Sequence, residues 1–294
     1  MTLRLRRFIF LIFTGFFIIS SFIVIFFAEG YRFDFNSFKI VKTGGIFIKT
    51  SVDNAKIYID DKYANSTSGI LNHDTLITNL VPRNYTVFIY KENYYPWNKV
   101  IEVKNGMVVE LRNIILFPLE LQKTKLLELP DQVISEFSIS DNAIKINNNK
   151  AKTTKTYSLA DGKLLTTEKF RTATSSSEDS ISPDKNKKIY ISNNQLWLSY
   201  LNDINKEPIK KTGEKELITV YQSSIDLFDW FNDSEHLIWF ANGELSVAEL
   251  DNQSGKRNSI KFYLNINPPV FWDRANSDFY FFEGNILYKI NFKS

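Results

Sequence analysis

Residues Phe8 to Ala28 form a run of 21 residues without a charge, polar only at Thr14, Ser20 and Ser21, and Arg4, Arg6 and Arg7 stand directly before it. A helix rising about 1.5 Å per residue needs roughly 20 apolar residues to cross a bilayer core of about 30 Å. The run therefore predicts a transmembrane helix over 8–28 behind a basic tail over 1–7. The alternative is a cleaved signal peptide, whose apolar region spans about 7–15 residues before small residues at the cleavage point. Here the run is longer and ends in Phe26-Phe27-Ala28-Glu29-Gly30, where Ala28 and Gly30 make a weak cleavage site. Beyond the run, Arg32, Lys39 and Lys42 are mixed with Glu29 and Asp34. The positive-inside bias then puts the N-terminus in the cytoplasm and residues 29–294 outside it, with the chain held as a single-pass protein of the plasma (inner) membrane.

Charge sharpens this reading. The chain carries 36 Lys and Arg against 33 Asp and Glu, so the three arginines before the run account for the whole positive excess. The exported part is formally neutral and lacks the basic footprint that a nucleic-acid partner requires. With no cysteine, there are no disulfides, thiol nucleophiles or Cys-based metal sites, and the exported part is held by its core alone. Residues 29–294 suffice for two ordinary domains. The 25 Phe and 14 Tyr favour β structure, where such side chains pack well.

Period-two alternation dominates after residue 44. Ile46–Lys49, Lys56–Asp60, Tyr85–Tyr90 and Met107–Leu111 read as strands, separated by turn-forming clusters such as Asp53-Asn54, Asp60-Asp61, Lys91-Glu92-Asn93 and Asn105-Gly106. The short intervals suit an antiparallel β-sandwich over 44–118 and leave no room for crossover helices. This block resembles a PEGA domain. The resemblance rests on Gly45-Ile46-Phe47-Ile48, on Val52 to Lys62 around Ala55 and Asp60-Asp61, on Leu80-Val81-Pro82-Arg83-Asn84-Tyr85, and on Asn93-Tyr94-Tyr95-Pro96-Trp97. Glycines of the family pattern are replaced here by Asn54, Asp61, Asn84 and Asn93, the residue types that best tolerate a left-handed backbone after glycine, and its proline is replaced by Val52. The resemblance implies a small surface module.

Leu119 to Pro130 reads as a leucine-rich connector. Over 130–294 a loose repeat follows, of turn, strand, tight turn and strand. One unit runs from Ile181-Ser182-Pro183-Asp184 to Leu198, a second from Trp230 to Val247 and a third from Trp272 to Tyr288, with a weaker copy at Phe137–Ile146. Leu196, Leu245 and Ile286 read as equivalent positions, spaced by 49 and 41 residues, close to a propeller blade. The units resemble the repeats of TolB-like and WD-related β-propellers. The expected fold class is therefore mainly β: an N-terminal transmembrane helix, a PEGA-like sandwich and a four-bladed or incomplete propeller, with a twisted sandwich or open meander as the alternative for the last part.

No catalytic constellation emerges. His73 and His236 are far apart in sequence and neither has a second metal ligand at useful spacing; H-E-x-x-H, G-x-S-x-G and the phosphate-binding glycine loops are absent. Asp226, Asp229 and Asp233 precede one strand and read as turn formers rather than a calcium site. Asp251–Gly255 lacks the alternating ligands and closing Glu of a calcium loop. Trp197, Trp230, Trp239 and Trp272 recur at repeat positions and read as core rather than as sugar platforms. Lys185, Lys187 and Lys188, and Lys206, Lys210 and Lys211, read as solvated loops. Asn65-Ser66-Thr67 and Asn84-Tyr85-Thr86 match glycosylation acceptors. Tyr94, Tyr95 and Trp97 form a candidate contact patch, with packing at the sandwich edge as the competing reading. The expectation is a non-enzymatic binding or scaffold protein of the cell envelope with no cofactor and no metal, engaging another envelope protein or a surface polysaccharide. A sensor or hydrolase-associated propeller with a site built from loops is the alternative.

Overall fold

The computed structural model describes residues 3–35, 38–67, 74–140, 142–169, 179–205, 208–252, 255 and 257–292. The chain divides into two compact units, Met1–Leu116 and Phe117–Ser294.

The first unit opens with helix α1, Leu3–Ala28. Its segment Leu5–Ala28 has a mean hydropathy of 2.7, and none of its apolar window is covered by protein. Thr14 Oγ1 donates to Phe10 O at 2.9 Å and Ser21 Oγ to Phe17 O at 2.8 Å, so these hydroxyls are satisfied on the helix's own carbonyls. Only Glu29 and Gly30 separate α1 from a hairpin of β1 (Tyr31–Asp34) and β2 (Lys39–Lys42), in which Phe33 pairs with Ile40 and Asp34 with Lys39. Thr43 closes its base, donating both its N–H and its Oγ1–H to Gly30 O at 2.8 Å.

Among the described residues seven strands follow: β3 (Gly44–Thr50), β4 (Lys56–Ile59), β5 (Lys62–Ser66), β6 (Asp74–Leu80), β7 (Arg83–Tyr90), β8 (Trp97–Val103) and β9 (Val108–Ile114). They form two sheets of order β6-β3-β9 and β5-β4-β7-β8. The expectation of a purely antiparallel arrangement is corrected at one pair, since β3 and β9 run parallel. Alternation reports which face a residue takes, not the direction of its neighbour. The core between the sheets includes Ile46, Ile48, Ile57, Ile89, Ile101 and Leu116. Each such isoleucine contributes about 1.5–3 kcal/mol by leaving water. Glycine at 44 follows from close approach, because a Cβ there would lie 2.5 Å from Met107 O.

Three of the four Asn and Asp residues read as standing for glycine adopt positive φ: Asn54 at 54°, Asp61 at 63° and Asn93 at 65°. Asn84 does not. It lies inside β7, paired with Glu102, because the turn falls one step earlier at Val81-Pro82.

Among the described residues the second unit contains four four-stranded antiparallel sheets. The first is β11 (Glu136–Ser140), β12 (Ala143–Asn148), β13 (Thr153–Ser158) and β14 (Leu164–Lys169). The second is β15 (Asp179–Ile181), β16 (Lys187–Ser192), β17 (Gln195–Tyr200) and β18 (Lys215–Val220). The third is β19 (Leu227–Trp230), β20 (His236–Ala241), β21 (Glu244–Glu249) and β22 (Ser259–Tyr263). The fourth combines β23 (Val270–Asp273), β24 (Asp278–Glu283) and β25 (Ile286–Asn291) with β10 (Lys123–Glu128), which pairs with β25. The segment read as a connector thus supplies a strand, and the first strand of the unit sits beside the last. The leading strands also approach one another: β11 lies against β23, β23 against β19 and β19 against β15.

The register shifts one sequence equivalence by a residue. Leu196 pairs with Ile191, Leu245 with Phe240 and Leu287 with Phe282, each one step from its tight turn. Leu287, not Ile286, is therefore the third equivalent position. All three leucines are fully buried, whereas Ile286 is half-exposed.

Candidate functional site

The leading strands of the second unit bring a polar cluster together. β15 supplies Ser180, β19 supplies Asp229, and the turn after β23 supplies Arg274. Ser180 Oγ donates to Asp229 Oδ1 at 2.6 Å. Arg274 donates through Nε to Asp229 Oδ2 at 3.3 Å, through Nη2 to Ser180 Oγ at 2.8 Å and to Asp229 Oδ1, and through Nη1 to Ile181 O at 3.1 Å. This is a bidentate guanidinium–carboxylate pair with a hydroxyl caught between, the geometry that arginine's planar fork favours. The Ser180 hydroxyl proton points to a carboxylate that the guanidinium also holds, and among the described residues no imidazole stands in this cluster.

Indole donors run alongside. Trp230 Nε1 donates to Ser180 O and Trp272 Nε1 to Trp230 O, both at 2.9 Å. Phe231, Phe262, Phe292 and Phe117 surround the Trp272 end, with Phe231 and Trp272 ring centroids 4.9 Å apart. The buried Trp230, Trp239 and Trp272 are core residues, while Trp197 is half-exposed and donates to Gln195 Oε1 at 3.1 Å.

The three aspartates before β20 do not form one site. Asp229 belongs to the cluster above, Asp226 is exposed, and Asp233 Oδ2 lies 2.6 Å from His236 Nδ1. Burial pushes the Asp233 carboxyl up, but the His236 ring and the main-chain N–H groups of Glu235 and His236 outweigh it and leave the group lowered. His73, Lys206 and Asp141 lie outside the described residues, as do Gln253 and Ser254 of the Asp251–Gly255 loop. Among the described residues no group of three or more His, Asp or Glu side chains is placed to hold a metal ion.

Lys187 corrects the reading of its cluster as solvated. It is 4% exposed and donates to Glu235 Oε1 at 2.9 Å, because strand alternation turns it inward with Ile189 while Lys188 is half-exposed. Lys210 is likewise engaged, 2.7 Å from Glu216 Oε1, and Lys211 lies 3.0 Å from Asp203. Glu216 also receives Arg257 and the Tyr200 hydroxyl, and burial beside this carboxylate pushes the Tyr200 phenol well up. For Lys187 the available signal was its place two residues before Ile189 in β16, whereas Lys210, Lys211 and Arg257 lie between strands and carry no such signal.

In the first unit, Trp97 is buried in the sandwich core. Tyr94 packs partly buried against that core, and Tyr95 is half-exposed. The three are near neighbours in sequence but do not present one continuous exposed face. Asn65 and Asn84 are exposed in β5 and β7, and Thr67 of the first acceptor triplet is buried, accepting from Ala55 N at 3.0 Å. An open groove of about 440 Å³ lies beside β7 and is lined by charges of both signs, Arg83, Glu102 and Lys104.

No curated protein matches this sequence. A solved structure described as "Crystal structure of Nidogen/Laminin Complex" aligns with 68% of this chain at 11% identity, with a TM-score of 0.25. The alignment covers 66% of that chain, just under two thirds of its length, and a likeness at that score carries no argument. Residues 43–115 match the PEGA domain family, the segment whose Gly44, Asp60-Asp61 turn and Trp97 were placed above. Over that segment the chain is similar to a PEGA domain.

Proposed function

We propose that the chain is a single-pass membrane protein whose PEGA domain and C-terminal unit stand outside the cytoplasm as non-catalytic binding modules. The observation that carries this is α1. A helix of this length and hydropathy whose apolar window meets no protein needs another apolar solvent, and a bilayer supplies it. Arg6 and Arg7 at its start favour a cytoplasmic N-terminus.

We further infer that the four sheets of the second unit are the blades of a four-bladed propeller. Their equal strand number, the mutual approach of their leading strands and the completion of the fourth sheet by β10 support this reading. Such a unit offers loop faces to a partner, taken here to be an envelope protein or a surface polysaccharide. The saturation of Asp229, Glu216 and Glu244 by neighbouring cations favours binding over acid–base chemistry.

The chain lacks cysteine, so single cysteines report topology directly. In intact cells, a membrane-impermeant maleimide should label Asn98→Cys and leave Thr2→Cys unlabelled, and the full-length chain should stay in the membrane at alkaline pH. Release of a shortened chain would instead establish cleavage and overturn the anchor. Retention of no envelope component by the detergent-solubilised chain would overturn the binding role.

A further inference from the structure

The hairpin β1–β2 presents an aromatic face that its own unit leaves uncovered. Phe33 is 43% exposed, Ile40 58%, and Phe35 and Phe38 78% each. Phe33 and Ile40 are directly paired, so they share one side of the hairpin, and Tyr31 and Lys42 lie on that side two residues away. The pairs Arg32–Val41 and Asp34–Lys39 take the opposite side. Phe33 meets Phe35 at 5.1 Å and Phe38 at 6.3 Å between ring centroids, both edge to face.

The aromatic side continues from the helix. Tyr31 meets Phe26 of α1 at 4.6 Å between centroids. Arg32, on the other side, donates through Nη1 to Phe27 O at 2.9 Å and through Nη2 to Asn79 Oδ1 of β6 at 3.0 Å, and its guanidinium lies 4.6 Å from the Phe27 ring. The hairpin is therefore held against the last turn of the helix, with two residues between them.

We propose that this hairpin is an interfacial membrane anchor. Phe33, Phe35, Phe38 and Ile40 enter the headgroup and acyl boundary of the bilayer that α1 crosses. Arg32, Lys39 and Lys42, against the single acid Asp34, favour an anionic lipid surface. The inference rests on the transmembrane reading of α1. The shared side of Tyr31, which meets Phe26, and of Phe33, which meets Phe35 and Phe38, commits it to lipid, because the end of a spanning helix places whatever follows within two residues at the headgroup level. Its consequence is that the PEGA domain is held close to the membrane rather than swinging on a free linker.

The test uses full-length chain in vesicles of phosphatidylcholine and phosphatidylglycerol. A nitroxide is placed singly at Phe35→Cys, Ile40→Cys, Ile18→Cys and the exposed Asn98→Cys. Oxygen collides preferentially with apolar sites and a water-soluble nickel chelate with aqueous ones, so their ratio reports depth. The expectation is a deep label at 18, shallow but membrane-embedded labels at 35 and 40, and an aqueous label at 98. Aqueous labels at 35 and 40 beside a deep 18 would overturn the hairpin proposal and leave the transmembrane reading standing. Dipolar broadening at 35 that vanishes on dilution with unlabelled chain would assign the face to a second copy and overturn it as well. Loss of the label at 18 with a shortened mass would overturn both. An unchanged near-ultraviolet spectrum of the buried tryptophans shows that each variant is folded.

Discussion

Trp272 donates its indole N–H to the main-chain carbonyl of Trp230 across 2.9 Å, and Trp230 repeats the same act toward Ser180. Each bond leaves the leading strand of one sheet and ends on the leading strand of another. A sheet's own ladder cannot fix its neighbour, so these side-chain donors, with Arg274 bridging Ser180 and Asp229, supply register between sheets. Replacing Trp272 by Phe keeps an aromatic ring beside Phe231 but leaves a buried carbonyl without its donor, which costs about 1–2 kcal/mol. Trp197→Phe removes only a half-exposed bond to Gln195 and should stay within about 0.5 kcal/mol of the parent. Denaturant midpoints of the two variants, read against the parent, check the contrast.

The Asp60-Asp61 turn between β4 and β5 separates two roles within one dipeptide. Both residues have positive φ, 48° and 63°, as a two-residue hairpin turn demands. Asp61→Gly relieves the left-handed strain and should stabilise by about 0.5–1 kcal/mol. Asp60→Gly gains the same relief but loses the bond from Thr86 N at 2.9 Å and the Arg83 contact at 2.6 Å, for a net loss of about 1 kcal/mol, since the Arg83 pair is largely exposed. Thermal melting should therefore move in opposite directions for the two glycines.

What could be read in advance followed from how local each signal was. The apolar run of α1 and the turn residues Asn54, Asp61 and Asn93 act within a few positions, and they were legible. β8 was missed although its burial alternates without fault. Lys99 faces inward and Val100 outward, which inverts the polarity that alternation is read from. β10 was missed because its partner lies at the far end of the unit. The one-residue slip between Ile286 and Leu287 is the ordinary ambiguity of a period-two pattern at a strand end, resolved only by the pairing with Phe282. The inward Lys187 shares the face of Ile189, but its ion pair needs Glu235, and the hairpin β1–β2 is held by Phe27 and Asn79, partners that no local pattern announces.

Acid should weaken the second unit over a defined window. The Thr212 main-chain N–H, Lys211 and the Thr212 hydroxyl together lower the Asp203 carboxyl from its ordinary 3.8 to about 2. Asp233 is lowered too, where hydrogen bonds from His236 and the main chain outweigh burial. A carboxyl lowered in the folded state contributes stability that is fully present above its unfolded value and is lost as pH falls through its folded one. Melting temperature should therefore be flat in these contributions above about pH 5 and fall between about pH 4 and pH 2. Asp203→Asn should flatten part of that slope while lowering stability at neutral pH. An equal acid slope in parent and variant would contradict the assignment.

The pairing of β10 with β25 can be fixed covalently. Glu128 and Ile286 are direct partners near one end of this pair, the first exposed and the second half-exposed. Opposed residues of an antiparallel pair have Cα atoms about 4.5–5.5 Å apart, within the range a disulfide spans. With no native cysteine, Glu128→Cys with Ile286→Cys can form only one intramolecular bond. Closing so long a loop constrains the unfolded chain by about 4–5 kcal/mol in the entropy model, or roughly 10 °C in melting temperature. The oxidised variant should melt higher by that order and return to the parent value with reductant. Two free thiols after oxidation would mean that the unit's first strand does not complete its last sheet.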